Sequence, residues 1–265
     1  MTKLTWDESG EKIFETGLDR GVLYLNDGSG VAWNGLTSFD ENDVNGVEEY
    51  IFDGYKIGNF PFSGDFTGKL KAFTYPDEFL PYTGVVTNND ISGLQIPYQS
   101  GRLSFGLSYR TLVGDDVDGV DLGYKIHILY NLIAIQDAIE YKTLGDDLDP
   151  YEFSWEVFST PEFVDGFHPT AHVVVDTRYL SETRLSHLED ILYGTETSQP
   201  RLPGLSDLIE SVTNSFLVTI TDNGDGSWTA EGPDDLVFMT DETTFSIVSD
   251  GVTVIDPDTY DITSA

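Results

Sequence analysis

The sequence predicts a mainly β protein, and three of its features support this. Residues that favour strands are abundant, with 16 Phe and 14 Tyr among the 265 residues, and aromatic and β-branched side chains fit a pleated surface. Glycine is also frequent, with 26 residues that can supply the turns between strands. In the segment 101–111, apolar and polar residues alternate with a period of two, as they do along a strand.

The first predicted element is a β-hairpin. The pattern indicates strands at 21–25 and 30–36, joined by the turn Asn26-Asp27-Gly28, whose residue types tolerate positive φ. A further strand is predicted at 66–75 and ends at Pro76, because proline cannot donate a hydrogen bond to a sheet.

An acidic stretch from Ser38 to Glu49 separates these strands. It contains Asp40-Glu41-Asn42-Asp43, which cannot easily be buried. We therefore expect a long exposed loop that runs on to Pro61, and loops of this length are usually functional or mobile.

Two central strands are predicted in the middle of the chain. One face of 101–111 is apolar and comprises Leu103, Phe105, Leu107 and Tyr109. The other face is polar and comprises Arg102, Ser104, Ser108 and Arg110. We expect the first face to be buried and the second to be wet. The run 124–135 is longer and more apolar, although one face mixes Lys125 and His127 with Leu129 and Ile133, and it predicts a central strand largely covered on both faces. Strands at 153–158 and 171–176 are expected to pair with each other.

Two helices follow. Leucine and isoleucine at helical spacing predict a helix from about Ser181 to Tyr193, with Ser181 or Thr183 as its N-cap. Gly194 stands where a left-handed glycine ends a helix. A second, shorter amphipathic helix is predicted at 205–212.

The C-terminal part has a different composition. After Arg201 there is no basic residue, and short strands are predicted at 215–221, 227–231, 236–239 and 244–249. We predict a β domain over residues 1–213 and a small acidic C-terminal β module or arm over 214–265.

The net charge is the most extreme property of the sequence. The chain has 47 acidic and 13 basic residues and a formal net charge of −34. Such a field repels other polyanions and gives nucleic acid no basic surface to bind.

The sequence has no cysteine, which excludes disulfides and thiolate metal sites. We also expect no signal peptide, since the first eight residues form no apolar run, and no transmembrane helix.

No motif in the sequence calls for catalysis, so we expect no enzyme activity, no cofactor and no catalytic or metal-binding residues. His168 and His172 are four residues apart, but Pro169 between them and the strand-like residues after them argue against two ligands on one helix face. The acidic run Asp115, Asp116, Asp118 and Asp121 and the turn at 222–226 resemble calcium loops only superficially. A hairpin turn is the preferred interpretation of 222–226.

Several segments together resemble the major tail proteins of actinobacterial siphophages. They are 5–8 (Thr-Trp-Asp-Glu), 17–24 (Gly-Leu-Asp-Arg-Gly-Val-Leu-Tyr), 32–36, 72–79, 105–111, 153–157, 188–195, 200–203 and 221–228 with 231–233. The resemblance extends over nearly the whole chain and depends on the order and spacing of these segments.

The resemblance implies a tail-tube-type β-sandwich or barrel with one flanking α-helix and a structural role in the virion. Subunits would form stacked homohexameric rings around a tape-measure protein, with tail terminator and distal tail proteins at the tube ends. Double-stranded DNA would pass through without specific binding, and no membrane would be involved. Assembly would take place in the cytoplasm of the host bacterium.

Two sets of acidic residues are candidates for roles in such a tube. The candidate ring-stacking loop contributes Asp40, Glu41, Asp43, Glu48, Glu49 and Asp53. The candidate cluster on the lumen or surface comprises Asp115, Asp116, Asp118 and Asp121.

Two other functions fit parts of the sequence. A β-sandwich carbohydrate-binding module or glycosidase would use the tryptophans, Trp6, Trp33, Trp155 and Trp228, and the many acids. An acidic mimic of DNA would instead bind a basic partner in a salt-sensitive manner. Glycan binding would favour the first alternative, whereas rings or tubes on electron micrographs would exclude it as the main role.

Overall fold

The computed structural model describes residues 6–43, 46–52, 55–62, 66–87, 93–97, 101–143, 150–164, 166–213, 217–222, 228–231, 237–241, 244–247 and 253–255. Within these residues the protein is mainly β, which confirms the predicted class. The strands are β1 (Phe14–Tyr24), β2 (Gly30–Trp33), β3 (Leu36–Asp43), β4 (Gly46–Phe52), β5 (Tyr55–Phe62), β6 (Phe66–Ala72), β7 (Val86–Thr87), β8 (Gln95–Ile96), β9 (Phe105–Asp115), β10 (Gly119–Gln136), β11 (Phe153–Ser159), β12 (His172–Asp176), β13 (Leu217–Asp222), β14 (Trp228–Glu231), β15 (Val237–Asp241), β16 (Thr244–Ile247) and β17 (Thr253–Ile255). The helices are α1 (Glu182–Tyr193), α2 (Leu205–Thr213) and the 3₁₀ helices Asp77–Thr83 and Thr177–Tyr179.

The chain divides into two compact units. One comprises Met1–Tyr179 with Asp190–Pro203, and the other comprises Leu180–Glu189 with Gly204–Ala265. The second unit therefore takes in α2 and part of α1 as well as the C-terminal strands. The predicted division after residue 213 stays a prediction.

An eight-stranded antiparallel sheet forms the first unit. Its strand order is β2-β1-β9-β10-β11-β6-β3, and β12 also pairs with β10. The two ends of this order approach each other, because β3 lies against β1. At the contact, a Cβ on Gly21 would lie 2.2 Å from Leu36 Cδ1, so only glycine allows this approach. The sheet is thus rolled around a single core, as expected for a sandwich or barrel.

The core of this unit is largely aromatic. Trp155 is fully buried, and its ring centroid lies 5.4 Å from that of Phe79 and 5.8 Å from that of Trp33. Phe79 belongs to the 3₁₀ helix Asp77–Thr83, which the strand pattern did not predict. Pro76 and Pro81 favour this short irregular helix over a strand, because neither can donate a ladder hydrogen bond.

The prediction of a wet polar face at 101–111 holds for the exposed Arg102 but is wrong for the part of that face in β9. On the apolar face, Leu103 is 42% exposed and not buried as expected. Ser108 and Arg110 are both buried in β9. Ser108 Oγ lies 3.1 Å from the hydroxyl of Tyr24, which donates to the carbonyl of Leu192 at 2.9 Å. Residues 190–203 therefore cover this face of the sheet, and the polar side chains are satisfied by partners inside the fold.

Arg110 is held by a bidentate ion pair with Asp19. Its Nε and Nη2 donate to the two carboxylate oxygens at 2.8 and 2.7 Å, and its guanidinium lies 4.4 Å from the centroid of the Tyr124 ring. Hydrogen bonds from Arg110 lower the pKa of the Asp19 carboxyl and outweigh the opposing effect of partial burial.

We expect Asp19→Asn to lower the free energy of unfolding by about 1–2 kcal/mol at pH 7. Arg110 would stay charged and buried without its carboxylate, and the exposure of Asp19 places the loss below that of a fully buried pair. Because the folded-state pKa of Asp19 is depressed, the contribution is present above about pH 4 and is lost as the pH falls through that folded-state pKa. Urea unfolding at pH 7 and pH 3 measures the difference in free energy of unfolding between the variant and the natural chain. Asp121→Asn serves as control, because Asp121 is exposed. A difference that grows at pH 3 would contradict this account.

Strand β10 is the central strand that the run at 124–135 predicts, and Ile126 to Tyr130 are all buried. The expected cover on both faces stops there, since Ile133 and Ile135 are exposed. The strand contains an irregularity that the alternation did not predict. Asn131 has a φ of 52°, and the register with β9 shifts between Leu129 and Leu132. Leu129 and Leu132 consequently both join the core cluster although they are an odd number of residues apart.

The pairing predicted between 153–158 and 171–176 is wrong, although both strands form. β11 pairs with β10 and β6, and β12 pairs with the earlier part of β10. The 18-residue length of β10 explains this, because it offers successive pairing sites along the same edge.

The long exposed loop predicted from Ser38 to Pro61 is also wrong. β3 pairs with β6. Lys71 Nζ on β6 lies 3.7 Å from Asp40 Oδ2 on β3. Phe39 packs against the core. The acids of this stretch are therefore accommodated by basic and aromatic partners that lie further along the chain.

The rest of the predicted loop forms a hairpin, which we call the β4–β5 arm (Gly46–Phe52 and Tyr55–Phe62). In β3 and β6 the last pair is Asp43 with Phe66, and in the arm the first pair is Gly46 with Phe62. The arm is a two-stranded sheet of its own, and its first pair is close in sequence to the last pair of β3 and β6. At about 3.3 Å per residue, a seven-residue strand extends about 23 Å.

Helix α1 confirms the helix predicted from Ser181 to Tyr193. Gly194 has a φ of 78° and donates its N–H to the carbonyl of Asp190 at 3.0 Å, as a C-terminal glycine does. The Ser181 hydroxyl, in contrast, has no hydrogen-bond partner among the described residues, so it does not cap the helix. α2 matches the second predicted helix. Neither helix, nor any other in the described ranges, is long and apolar enough to cross a membrane.

The second unit contains the C-terminal strands. β13 pairs with β14 and, in parallel, with β17, while β15 pairs with β16. The last pair of the β13–β14 hairpin is Asp222 with Trp228. This confirms a hairpin around the Gly-Asp-Gly turn, whose own residues 223–227 lie outside the described ranges.

Candidate functional site

Three side chains that are distant in sequence meet near one end of the rolled sheet, and we call them the histidine cluster: Glu41 on β3, His127 on β10 and His172 on β12. Glu41 Oε1 lies 3.1 Å from His127 Nδ1 and 3.7 Å from His172 Nε2. The same two imidazole nitrogens are 3.3 Å apart. Three potential ligand atoms therefore converge on one point.

The fold fixes each member of the cluster. His127 and His172 lie on the same face of adjacent strands, because His172 pairs with Leu129 in the β10–β12 register. Their rings stack at 5.4 Å with an interplanar angle of 20°. Glu41 reaches them from β3 because the sheet is rolled, and the Tyr109 hydroxyl of β9 donates a hydrogen bond to Glu41 Oε1.

A second layer of polar groups supports His127. Thr111 Oγ1 lies 3.0 Å from His127 Nε2 and donates to Glu15 Oε1 at 2.5 Å. Lys125 Nζ donates to the other oxygen of Glu15, also at 2.5 Å. The ring of Tyr109 covers the imidazole of His127, with centroids 4.7 Å apart and nearly parallel planes.

The electrostatics keep Glu41 ionised. Partial burial opposes its charge, but the contact with His127, the hydrogen bond from Tyr109 and the proximity of both imidazoles lower the pKa of its carboxyl to about 2. Burial, together with the hydrogen bond to Glu41, raises the pKa of the Tyr109 hydroxyl. Tyr109 therefore stays a hydrogen-bond donor, and Glu41 presents a full negative charge to the two imidazoles.

The structure places the acids of the candidate lumen or surface cluster around the turn between β9 and β10. Asp115 is buried, and its Oδ1 accepts the backbone N–H groups of Val117 and Asp118 at 2.8 and 2.6 Å. Asp115 therefore shapes the turn and does not belong to an acidic surface. Asp116, Asp118 and Asp121 are exposed, and Asp116 accepts the N–H of Gly10 at 2.9 Å.

The acids of the candidate ring-stacking loop are divided among several elements. Asp40, Glu41 and Asp43 lie on β3, and Glu48 and Glu49 lie on β4. Asp53 lies outside the described residues. The Glu41 side chain contacts His127 and His172, so we leave it out of the proposed stacking surface.

A pocket of about 530 Å³ opens at the seam where β1 and β3 approach each other. Its lining includes Asp19 and Arg20 beside Trp33 and Tyr193. Arg20 has a φ of 47° and lies 5.8 Å from the Tyr193 ring centroid. Asp19 is already paired with Arg110, and most of the other lining residues are apolar.

The outer face of β10 and β11 carries an apolar strip of Ile133, Ile135 and Phe158. Ile133 and Phe158 are direct cross-strand partners. The three side chains are 36%, 40% and 40% exposed. The exposed Glu156, which is the cross-strand partner of Ile135, borders them. A group of exposed apolar side chains with a polar rim is typical of a surface that a partner covers.

Sequence reasoning did not find the histidine cluster. His127 and His172 are 45 residues apart, and Glu41 was assigned to an exposed loop. The sequence placed His127 and Tyr109 in the two central strands, which was the one signal that polar groups meet there. That signal can be interpreted only when the pairing of the strands is known.

Comparisons with known proteins give a weak structural likeness. No protein-family model and no curated protein matches the sequence. A chain of the six-fold symmetrised baseplate of the anti-feeding prophage matches with a TM-score of 0.31 and 7% identity, over 65% of this chain and 97% of that one. A chain of the extended sheath–tube complex of an extracellular contractile injection system matches with a TM-score of 0.28 and 9% identity, over 59% and 88% of the two chains. The neighbours are components of phage-tail-like assemblies, but likenesses at these scores carry no weight for the function.

Proposed function

We propose that this chain is a structural, non-enzymatic protein that forms the tail tube of a long non-contractile phage tail. Its subunits would assemble into hexameric rings, and the rings would stack around a tape-measure protein. Tail terminator and distal tail proteins would bind the ends of the tube. The ordered resemblance of segments along the sequence supports this proposal.

The observation that carries the proposal is the apolar strip on the outer face of β10 and β11. An isolated subunit would leave Ile133, Ile135 and Phe158 in water, whereas a neighbouring subunit in a ring would cover them. The occupant we infer is therefore a second copy of this chain. Of the four tryptophans that a carbohydrate-binding module would require, Trp33 and Trp155 are in the core, which weakens that alternative.

The net charge fits a conduit for DNA. Six copies would carry −204 formal charges, six times the −34 of one chain. A channel wall that includes exposed acids such as Asp116, Asp118 and Asp121 would not release counterions from DNA and would therefore not hold it. We propose these three residues as candidates for the lumen or the outer surface.

Negative-stain electron microscopy of the purified chain at high concentration tests the proposal. We expect rings or tubes from the natural sequence and only single subunits from Phe158→Glu, since a buried carboxylate in the subunit interface costs several kcal/mol. Val117→Glu makes the same kind of change at an exposed turn and should assemble normally. Tubes from Phe158→Glu that match the natural ones would exclude the strip as an interface. Glycan binding without any assembly would favour the carbohydrate-binding alternative.

A further inference from the structure

We propose that Glu41, His127 and His172 bind one divalent transition-metal ion, and that Zn²⁺ is the ion that suits them best. The ligand atoms would be Glu41 Oε1, His127 Nδ1 and His172 Nε2. This departs from the expectation of no metal-binding residues, and it does not depend on the proposed role in a tail tube.

The distances within the cluster match a tetrahedral site. Zn²⁺ binds imidazole nitrogen and carboxylate oxygen at about 2.0–2.2 Å, so two ligands of a tetrahedral ion lie about 3.3–3.5 Å apart. The three separations are 3.1, 3.3 and 3.7 Å. Two imidazoles and one carboxylate form a donor set that suits Zn²⁺ better than Mg²⁺ or Ca²⁺, which prefer oxygen ligands alone.

The hydrogen bonds of His127 leave its Nδ1 available as a ligand atom. Thr111 donates its proton to Glu15, so its oxygen must accept the hydrogen of His127 Nε2. In the neutral imidazole, Nδ1 then carries a lone pair that faces the carboxylate of Glu41 and the Nε2 of His172. A metal ion between these atoms would be coordinated by the two imidazole nitrogens and the Glu41 carboxylate. A hydrogen bond between the two imidazoles is the competing arrangement, and a metal titration distinguishes the two.

The surroundings supply what a metal-binding histidine usually has. Two hydrogen bonds in series, from His127 Nε2 to Thr111 and from Thr111 to Glu15, orient the imidazole. Hydrogen bonds to the non-coordinating nitrogen of a histidine ligand have this effect in metal sites. Tyr109 holds Glu41 by a hydrogen bond to its ligand oxygen. One third of the Glu41 side chain is exposed, which leaves a path for the ion and a fourth position for water.

Metal binding would connect β3 to two strands with which it does not pair. β3 pairs with β6, and β12 pairs with β10. An ion held by all three residues would fasten β3 across the opening of the rolled sheet. Since the β4–β5 arm follows β3 in the chain, the site would stabilise the base of that arm.

Isothermal titration calorimetry, in which ZnCl₂ is added to the tag-free chain and the heat of binding is measured, tests the proposal. The chain is first stripped with a chelator, and the titration is made in excess Mg²⁺ to occupy scattered carboxylates. We expect one Zn²⁺ to bind per chain. At a free Zn²⁺ concentration about a hundred times the dissociation constant, the melting temperature should rise by about 5 °C or more. Thr111→Val should weaken binding about 10–100-fold, and Glu41→Gln and His172→Ala should weaken it further.

His168→Ala is the matched control, because His168 is an exposed histidine four residues from His172. It should bind Zn²⁺ as the natural chain does. If His172→Ala does not fold, the visible spectrum of the natural chain with Co²⁺ should still show the strong bands of a tetrahedral site. Absence of binding in the natural chain, or equal losses in His168→Ala and His172→Ala, would overturn the proposal.

Discussion

Trp155→Ala is expected to lower the free energy of unfolding by about 3–5 kcal/mol, the range measured for large aromatic residues truncated in a core. Trp155 is fully buried, and the rings of Trp33, Tyr75, Phe79 and Phe153 surround it with centroids between 5.4 and 6.0 Å away. Each of these contacts would border a cavity that the rolled sheet cannot close. Since domains of this size are stable by only about 5–15 kcal/mol, the loss is a large share of the total.

Urea unfolding at equilibrium measures this effect. Trp6→Ala is the matched control, because Trp6 is 75% exposed and its loss should change the stability by less than about 0.5 kcal/mol. Trp155→Phe should cost less than Trp155→Ala, since it keeps an aromatic ring and removes an indole N–H that has no partner among the described residues. A loss below 1 kcal/mol in Trp155→Ala would show that this cluster is not the centre of the fold.

Much of the fold could be predicted where the signals are local. The turn Asn26-Asp27-Gly28 joins β1 and β2 as expected. The apolar run at 124–135 marks the central strand, and leucine spacing with Gly194 marks α1. In each case the decisive residues lie within a few positions of one another, so no knowledge of the tertiary structure is required.

The errors arose where a distant partner decides the outcome. The acids of β3 suggested a loop, but the lysines of β6 and the aromatic rings of the core make a strand favourable there. The polar face of β9 suggested exposure, but Asp19 neutralises Arg110 and residues 190–203 cover Ser108. In both cases a polar residue became buried because its partner is remote in sequence and close in space.

The histidine cluster could not be predicted for a related reason. His127 and His172 meet because β12 pairs with β10, and Glu41 meets them because the sheet is rolled. The sequence suggested His168 and His172 as the pair to consider, since they are near each other in the chain. In the structure, His168 is an exposed residue before β12 and takes no part in the cluster.

Removal of the β4–β5 arm is expected to abolish tube formation while leaving a folded subunit. Asp43 and Phe66 are direct cross-strand partners, so residues 44–65 can be replaced by the two-residue turn Asn-Gly without disturbing the β3–β6 hairpin. Each core-cluster residue among the side chains that the structure describes lies outside the deleted segment. We propose the arm, with Glu48 and Glu49 on β4, as the element that joins one ring to the next.

The deletion variant and the natural chain should have similar melting temperatures, whereas electron micrographs should show stacked tubes only for the natural chain. Shortening the arm between Tyr50 and Gly58, another cross-strand pair, provides a graded test. If the arm reaches a neighbouring ring, a shorter arm should weaken stacking before it affects single rings. Rings without stacks from the deletion variant would assign the arm to ring-to-ring contact, because the apolar strip on β10 and β11 is untouched. Normal tubes from the deletion variant would exclude the arm from assembly and leave that strip as the remaining interface on the sheet.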